Sequence, residues 1–210
     1  MSLFMQHIDR DYRWAIWKND ETIEELLELI PEHEKYRSQI ERFSAPHRRM
    51  EWLSVRVLLF TLLGKNVDVA YATNGRPYLR NLSASISISH TKGYVAVLLA
   101  KSSCKPGVDI EQYGERVCKV AHRFMHAEES PSEYAGITIW SLLLHWSAKE
   151  TMFKAMDVPE VDFRTHLRVI PFKVQEHGCF EALEFRTKQR RHFHIHYLLH
   201  PDFVFTWSVD

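Results

Sequence analysis

Residues 85–125 read SISISHTKGYVAVLLAKSSCKPGVDIEQYGERVCKVAHRFM, three strand patterns followed by a change of period. Ser85-Ile86-Ser87-Ile88-Ser89 alternates strictly, so both isoleucines belong to one face of a strand. Tyr94–Ala100 and Gly107–Glu111 are further short runs of strand character. From Glu115 the apolar positions Val117, Val120, Ala121, Phe124 and Met125 recur at helical spacing instead.

Working outward, Tyr12–Lys18 reads as a first strand. Asp20 resembles an N-cap ahead of the apolar stripe Ile23, Leu26, Leu27 and Ile30. Pro31 suits the start of a second helix and Pro46 that of a third, which carries Leu53, Val57 and Phe60 inward and stops at Gly64. Val67–Thr73 leads as a strand into the turn signal Asn74-Gly75. On the other side, a helix is expected from about Ile137 to Met156, and three or four strands from about Leu167, the last at Phe203–Val209. Strands and helices mix without a regular βαβ alternation, so the fold class is α+β.

The chain has 210 residues, 45% hydrophobic and 26% charged, enough for a core without staples. Lys+Arg and Asp+Glu both number 27, for a net charge of zero. That balance argues against a broad binder of nucleic acid or of an anionic membrane, though not against a local basic pocket. Cys104, Cys118 and Cys179 are an odd set without C-x-x-C spacing, which suits a reducing compartment. No apolar run approaches the ~20 residues of a membrane span, and the N-terminus meets charge too early for a signal peptide. A soluble, cytoplasmic protein is the expectation.

Four sets of residues could carry chemistry. Asp109 and Glu111, two apart on a strand, point to the same side about 6.6 Å apart, which suits a hard cation preferring oxygen ligands. A lone D-x-E is more often a solvated strand face. Glu150 and Lys154 share one helix face at i, i+4; the ordinary reading is a surface ion pair worth a few tenths of a kcal/mol. Their apolar surroundings, including Trp140, Leu142, Leu143, Leu144, Trp146 and Phe153, suit a site better. Ser89-His90 ends the alternating strand where a loop can open onto a cleft, and Gly75-Arg76-Pro77 fixes an arginine in a turn.

Together, Asn74-Gly75-Arg76-Pro77-Tyr78-Leu79, Ile86-Ser87-Ile88-Ser89-His90, Gly107-Val108-Asp109-Ile110-Glu111, Phe124…Glu129 and Trp146-Ser147-Ala148-Lys149-Glu150…Lys154 resemble the 4′-phosphopantetheinyl transferase family. The likeness spans about Pro46–Ala155, and the length is similar to the long, Sfp-like class. The resemblance implies a pseudo-dimer of two α+β halves, residues 1–103 and 104–210, each a mostly antiparallel sheet on helices, working as a monomer. It implies Mg2+-dependent transfer of the phosphopantetheine arm of coenzyme A to a serine of an apo acyl or peptidyl carrier protein, releasing adenosine 3′,5′-bisphosphate. It also implies Asp109, Glu111 and Glu150 as metal ligands, Glu150 and Lys154 as catalytic groups, and Arg49, Arg76, Ser89, His90 and Lys154 as coenzyme A contacts. Arg48 stands one residue from Arg49 as an alternative. Glu129, or its neighbour Glu128, matches a further acidic position. An acidic carrier would call for a basic dock, for which Arg116, Lys119 and Arg123 on one helix side are candidates.

Other functions compete. A metal-dependent phosphoesterase or nuclease would also use D-x-E with a later Glu and Lys, but the zero net charge argues against it. A catalytically silent homologue that binds carrier protein or coenzyme A is a second class. His192, His194 and His196 alternate on one strand face with His200 beyond, yet no acid or cysteine partner is evident in sequence, so an exposed strand face is the stronger reading than a metal site.

Overall fold

In the computed structural model, which describes residues 2–210, the chain divides into two units, the first ending at Ser103 and the second running Cys104–Asp210. The architecture is α+β, with every strand pair antiparallel. None of the described helices is long and apolar enough to cross a membrane.

The first unit opens with β1 (Leu3–Ile8), which the sequence reading did not anticipate, and β2 (Tyr12–Lys18). Helices α1 (Ile23–Glu28), α2 (His33–Ile40) and α3 (Pro46–Leu63) follow, then the ribbon β3 (Val69–Tyr71) and β4 (Pro77–Leu79), then β5 (Ala84–Thr91) and β6 (Tyr94–Lys101). The sheet order is β1-β2-β6-β5. Ala15, Trp17, Ile86, Val95, Val97 and Leu99 from the sheet share a core with Leu26, Leu27, Leu53, Val57 and Leu58 from the helices. The isoleucines of β5 do share a face, and Ile88 packs against the same core.

Three local expectations give way. The N-cap of α1 is Thr22 rather than Asp20: its side chain accepts the Glu25 amide at 3.3 Å while the Glu25 carboxylate accepts the Thr22 amide at 2.7 Å. That reciprocal capping box satisfies two otherwise orphaned donors, an advantage Asp20 lacks, and Asp20 pairs with Lys18 instead. Helix α2 begins at His33, two residues after Pro31, behind Glu32 in the left-handed conformation (φ 62°). Strand β3 keeps only three residues of Val67–Thr73, paired in register Val69↔Leu79 and Tyr71↔Pro77 around the Asn74-Gly75 turn. Helix α3 matches its signals, with Pro46 in the first turn and Gly64 (φ 65°) closing it.

The second unit comprises β7 (Pro106–Gln112), α4 (Arg116–Val120), a 3-10 turn at Ala121–Arg123, α5 (Ile139–Met156), α6 (Phe163–His166) and four strands, β8 (Leu167–Val169), β9 (His177–Glu184), β10 (His192–His200) and β11 (Phe203–Val209). The sheet order is β7-β11-β10-β9-β8. The helix expected over Glu115–Met125 is cut to α4 and the 3-10 turn, and the Phe124 carbonyl just past that turn accepts Lys149 of α5 at 2.6 Å.

Helix α5 lies directly on β7 and β11. A Cβ on Gly107 would fall 2.1 Å from the Thr151 carbonyl oxygen, so only glycine allows β7 this close to the helix. A buried hydroxyl cluster fixes the same contact: Thr206 of β11 bonds Ser147 at 2.8 Å and Thr151 at 2.7 Å. Strand and helix are thereby locked at the level where their acidic residues emerge.

Candidate active site

Two residues beyond Gly107, Asp109 sits on the helix-facing side of β7, 3% exposed. Its Oδ1 accepts a hydrogen bond from Lys154 Nζ at 2.8 Å, and the same ammonium donates to the Val108 carbonyl at 3.0 Å. Glu111, next on that side, is half-buried and accepts the Trp146 indole N–H at 2.7 Å. Trp146, Glu150 and Lys154 stand at i, i+4 and i+8 on α5 and so form one stripe. The structure thus brings Asp109, Glu111, Glu150 and Lys154 together, with Trp146 as an orienting partner that the sequence reading counted only as apolar. Lys154 reaches from α5 to Asp109 on β7, a contact that the helix spacing with Glu150 could not reveal.

Three carboxyl groups here face one ammonium. Burial pushes the Glu111 carboxyl up to about 7, helped by the charges of Asp109 and Glu150 and opposed by the Trp146 hydrogen bond and Lys154. Burial and the Asp109 charge push Glu150 up to about 7, with Lys154 opposing. The site therefore retains protons near neutrality unless further positive charge arrives. Among the described residues no three His, Cys, Asp or Glu side chains are drawn up as a ready cage for a metal. The donor set still fits Mg2+, which takes oxygen ligands and is commonly held by one or two carboxylates with substrate phosphates and waters rather than by an all-protein cage.

Glu129 has a different setting. Its side chain is fully buried and its Oε2 accepts Lys149 Nζ at 2.8 Å and the His126 amide at 2.6 Å, while Oε1 accepts the Val169 amide at 2.6 Å. Lys149 also donates to the carbonyls of Phe124 at 2.6 Å and Phe163 at 3.1 Å. Glu129 is thus a buried acid paired with Lys149 and not a member of the Asp109 cluster. Glu128, the alternative, is exposed and reaches Arg168.

In the first unit, α3 and the end of β5 bring Arg48, Glu51 and His90 together. Arg48 Nη1 bonds Glu51 at 3.2 Å and comes within 3.5 Å of His90 Nε2, and His90 Nδ1 lies 3.5 Å from Glu51. Arg49 points elsewhere, its Nε donating to the Phe43 carbonyl at 2.6 Å. Ser89 is buried, and Arg76 is half-buried just past the Asn74-Gly75 turn, where the Asn74 side chain accepts its amide at 3.2 Å. Glu51 was missed from sequence, although its i, i+3 spacing from Arg48 was a usable signal.

Two further expectations are corrected. His194 does have an acid partner, Glu181 on β9 at 2.7 Å, and His196 stacks on Trp207 at 5.3 Å. Arg116, Lys119 and Arg123 do not line one helix, because α4 ends at Val120.

No curated protein matches the chain. The family model of the 4′-phosphopantetheinyl transferase superfamily matches residues 105–208, which contain Asp109, Glu111, Glu150 and Lys154. Residues 105–208 thus form a domain of the 4′-phosphopantetheinyl transferase superfamily.

Proposed function

We propose that this protein transfers the 4′-phosphopantetheine group of coenzyme A to a serine of an apo acyl or peptidyl carrier protein, with Mg2+ as metal and adenosine 3′,5′-bisphosphate as second product. We place it in the long, Sfp-like class, acting as a monomer. The observation that carries the reading is the cluster of Asp109, Glu111, Glu150 and Lys154 inside the region matched to the superfamily.

The reaction breaks a phosphoanhydride bond and forms a phosphate ester at the serine oxygen. Glu150, with its carboxyl held near neutrality, is suited to take the serine proton. Asp109, Glu111 and Glu150 would hold the metal, which when bound withdraws charge from the phosphate oxygens. Trp146 orients Glu111 through its N–H, so that carboxylate is placed before substrate arrives. Lys154, beside Asp109, adds positive charge where the departing nucleotide phosphate gains a negative one.

For the nucleotide end we propose His90, Ser89 and Arg76. The 3.5 Å approach of Arg48 to His90 supports Arg48 rather than Arg49 as the accompanying cation for a phosphate. Cys104, Cys118 and Cys179 are outside any disulfide, which supports a reducing, cytoplasmic setting.

The test is to incubate the protein with coenzyme A, Mg2+ and an apo carrier protein and weigh the carrier. Gain of one phosphopantetheine group is expected. No gain on any acyl or peptidyl carrier, with the protein folded, contradicts the reading.

A further inference from the structure

In the first unit, α3 and β5 place a carboxylate between two groups assigned above to the nucleotide end. Glu51 Oε2 accepts Arg48 Nη1 at 3.2 Å, and Glu51 Oε1 lies 3.5 Å from His90 Nδ1. The Glu51 side chain is 21% exposed against 56% for Arg48, so the acid is the better-held member of the pair. An i, i+3 ion pair on a helix surface adds little to the fold. This acid also reaches a histidine on another element, which pairing within α3 does not require.

The arrangement sets two anions against each other. A phosphate that meets both His90 and Arg48 must draw on Arg48 Nη1, the atom 3.5 Å from His90 Nε2. Glu51 Oε2 is 3.2 Å from that same nitrogen, so a phosphate oxygen accepting from it at about 2.9 Å lies within about 6 Å of the carboxylate. At that distance two like charges shift an equilibrium about threefold even at the dielectric constant of water, and more when one is a dianion. Affinity held in common by a substrate and its phosphorylated product slows release of the product without helping the chemistry. A carboxylate beside the phosphate contacts restrains that shared affinity.

We propose that Glu51 sets the affinity of this end of the site for a nucleotide carrying a 3′-phosphate: it engages Arg48 before the ligand arrives, and its charge opposes the bound phosphate, so that adenosine 3′,5′-bisphosphate is released after transfer. The ligand's identity rests on the reading of His90 and Arg48 as nucleotide contacts. The sign of the effect rests on the Glu51 charge.

The test measures binding of four ligands to wild type and to Glu51→Gln by titration calorimetry at low ionic strength. They are coenzyme A, 3′-dephospho-coenzyme A, adenosine 3′,5′-bisphosphate and adenosine 5′-monophosphate. Wild type should bind each 3′-phosphorylated ligand more tightly than its counterpart without that phosphate. Glu51→Gln should bind the 3′-phosphorylated pair about threefold to tenfold more tightly than wild type does, with the other two near wild type. A substitution that merely damaged the site would weaken binding, so a gain distinguishes the two. In turnover, KM for coenzyme A and the inhibition constant of adenosine 3′,5′-bisphosphate should fall together. In an Arg48→Gln background the gain should shrink, because the cation that Glu51 engages is gone. Glu51→Ala removes the same charge and serves should Glu51→Gln not fold. Weaker or equal binding by the variant, an equal gain for ligands without the 3′-phosphate, or an undiminished gain in the Arg48→Gln background overturns the proposal while the nucleotide-end reading stands. A wild-type chain that does not discriminate coenzyme A from 3′-dephospho-coenzyme A overturns both. The expected gain without transfer to any carrier keeps the role of Glu51 and refutes the transferase reading.

Discussion

Lys149 and Lys154 leave the same helix, yet their ammonium groups meet opposite conditions. Lys149 is fully buried, held by Glu129 and two carbonyls, and burial lowers its pKa while Glu129 opposes that shift. Lys154 is 26% exposed and stands against Asp109 in a cluster where carboxyl groups outnumber it. A charge sealed from water must be neutralised and hydrogen-bonded completely, so Lys149 serves the fold. A charge at the edge of an unbalanced acidic cluster stays within reach of solvent. One helix therefore separates a sealed cation from one at the candidate site by little more than a turn.

The largest effect should come from breaking the sealed pair. Lys149→Ala leaves Glu129 buried without its cation and should cost about 3–5 kcal/mol, read as a shift in the urea midpoint. Replacing both partners, as Lys149→Met/Glu129→Leu, should not restore stability, because Glu129 also accepts the His126 and Val169 amides.

At the other lysine the fold should survive and chemistry should not. Lys154→Ala and Glu150→Gln should each lower turnover by about 10²-fold or more, with urea midpoints near wild type, when carrier modification is followed by mass. A variant at either position that unfolds as readily as Lys149→Ala would dissolve the contrast. Gly107→Ala probes the strand contact that places Asp109, and overpacking against the Thr151 carbonyl should cost about 1–3 kcal/mol.

The smallest effect concerns protons and metal. Glu111 and Glu150 both titrate near 7 in the folded chain against 4.5 as the ordinary value. A carboxyl that holds its proton more tightly when folded stabilises most below its unfolded pKa, and that contribution is lost as pH rises through the folded one. Without metal, melting temperature should fall between about pH 5 and 8, by a contribution on the order of 1–2 kcal/mol. Mg2+ should raise the melting temperature more at pH 8 than at pH 5, since it replaces the lost protons. An equal Mg2+ effect at both pH values would mean that these carboxylates are not where the metal acts.

The sequence exposed what local periodicity controls. Asp109 and Glu111 share a face because a strand has a period of two, and Glu150 and Lys154 because a helix brings i and i+4 together. Pro46 and Gly64 bound α3 because each satisfies a fixed backbone requirement. Contacts between distant segments were hidden. Nothing near Lys154 in the chain identifies Asp109 as its partner, and nothing near Glu129 marks it as a buried ion. Helix α4 stops at Val120 although the apolar spacing continues to Met125, and nothing in that spacing signals the break. At Thr22 the information was present: Glu25, three residues on, distinguishes the capping box from a lone Asp20.

The most direct measurement follows carrier mass over time in parallel reactions of wild type and Glu150→Gln, with coenzyme A and Mg2+ and at equal folded fraction. The wild type should add phosphopantetheine while the variant, equally folded, adds it at about 1% of that rate or less. Equal rates from the two proteins would contradict the assignment of the Asp109–Glu111–Glu150–Lys154 cluster as the place where the chemistry occurs.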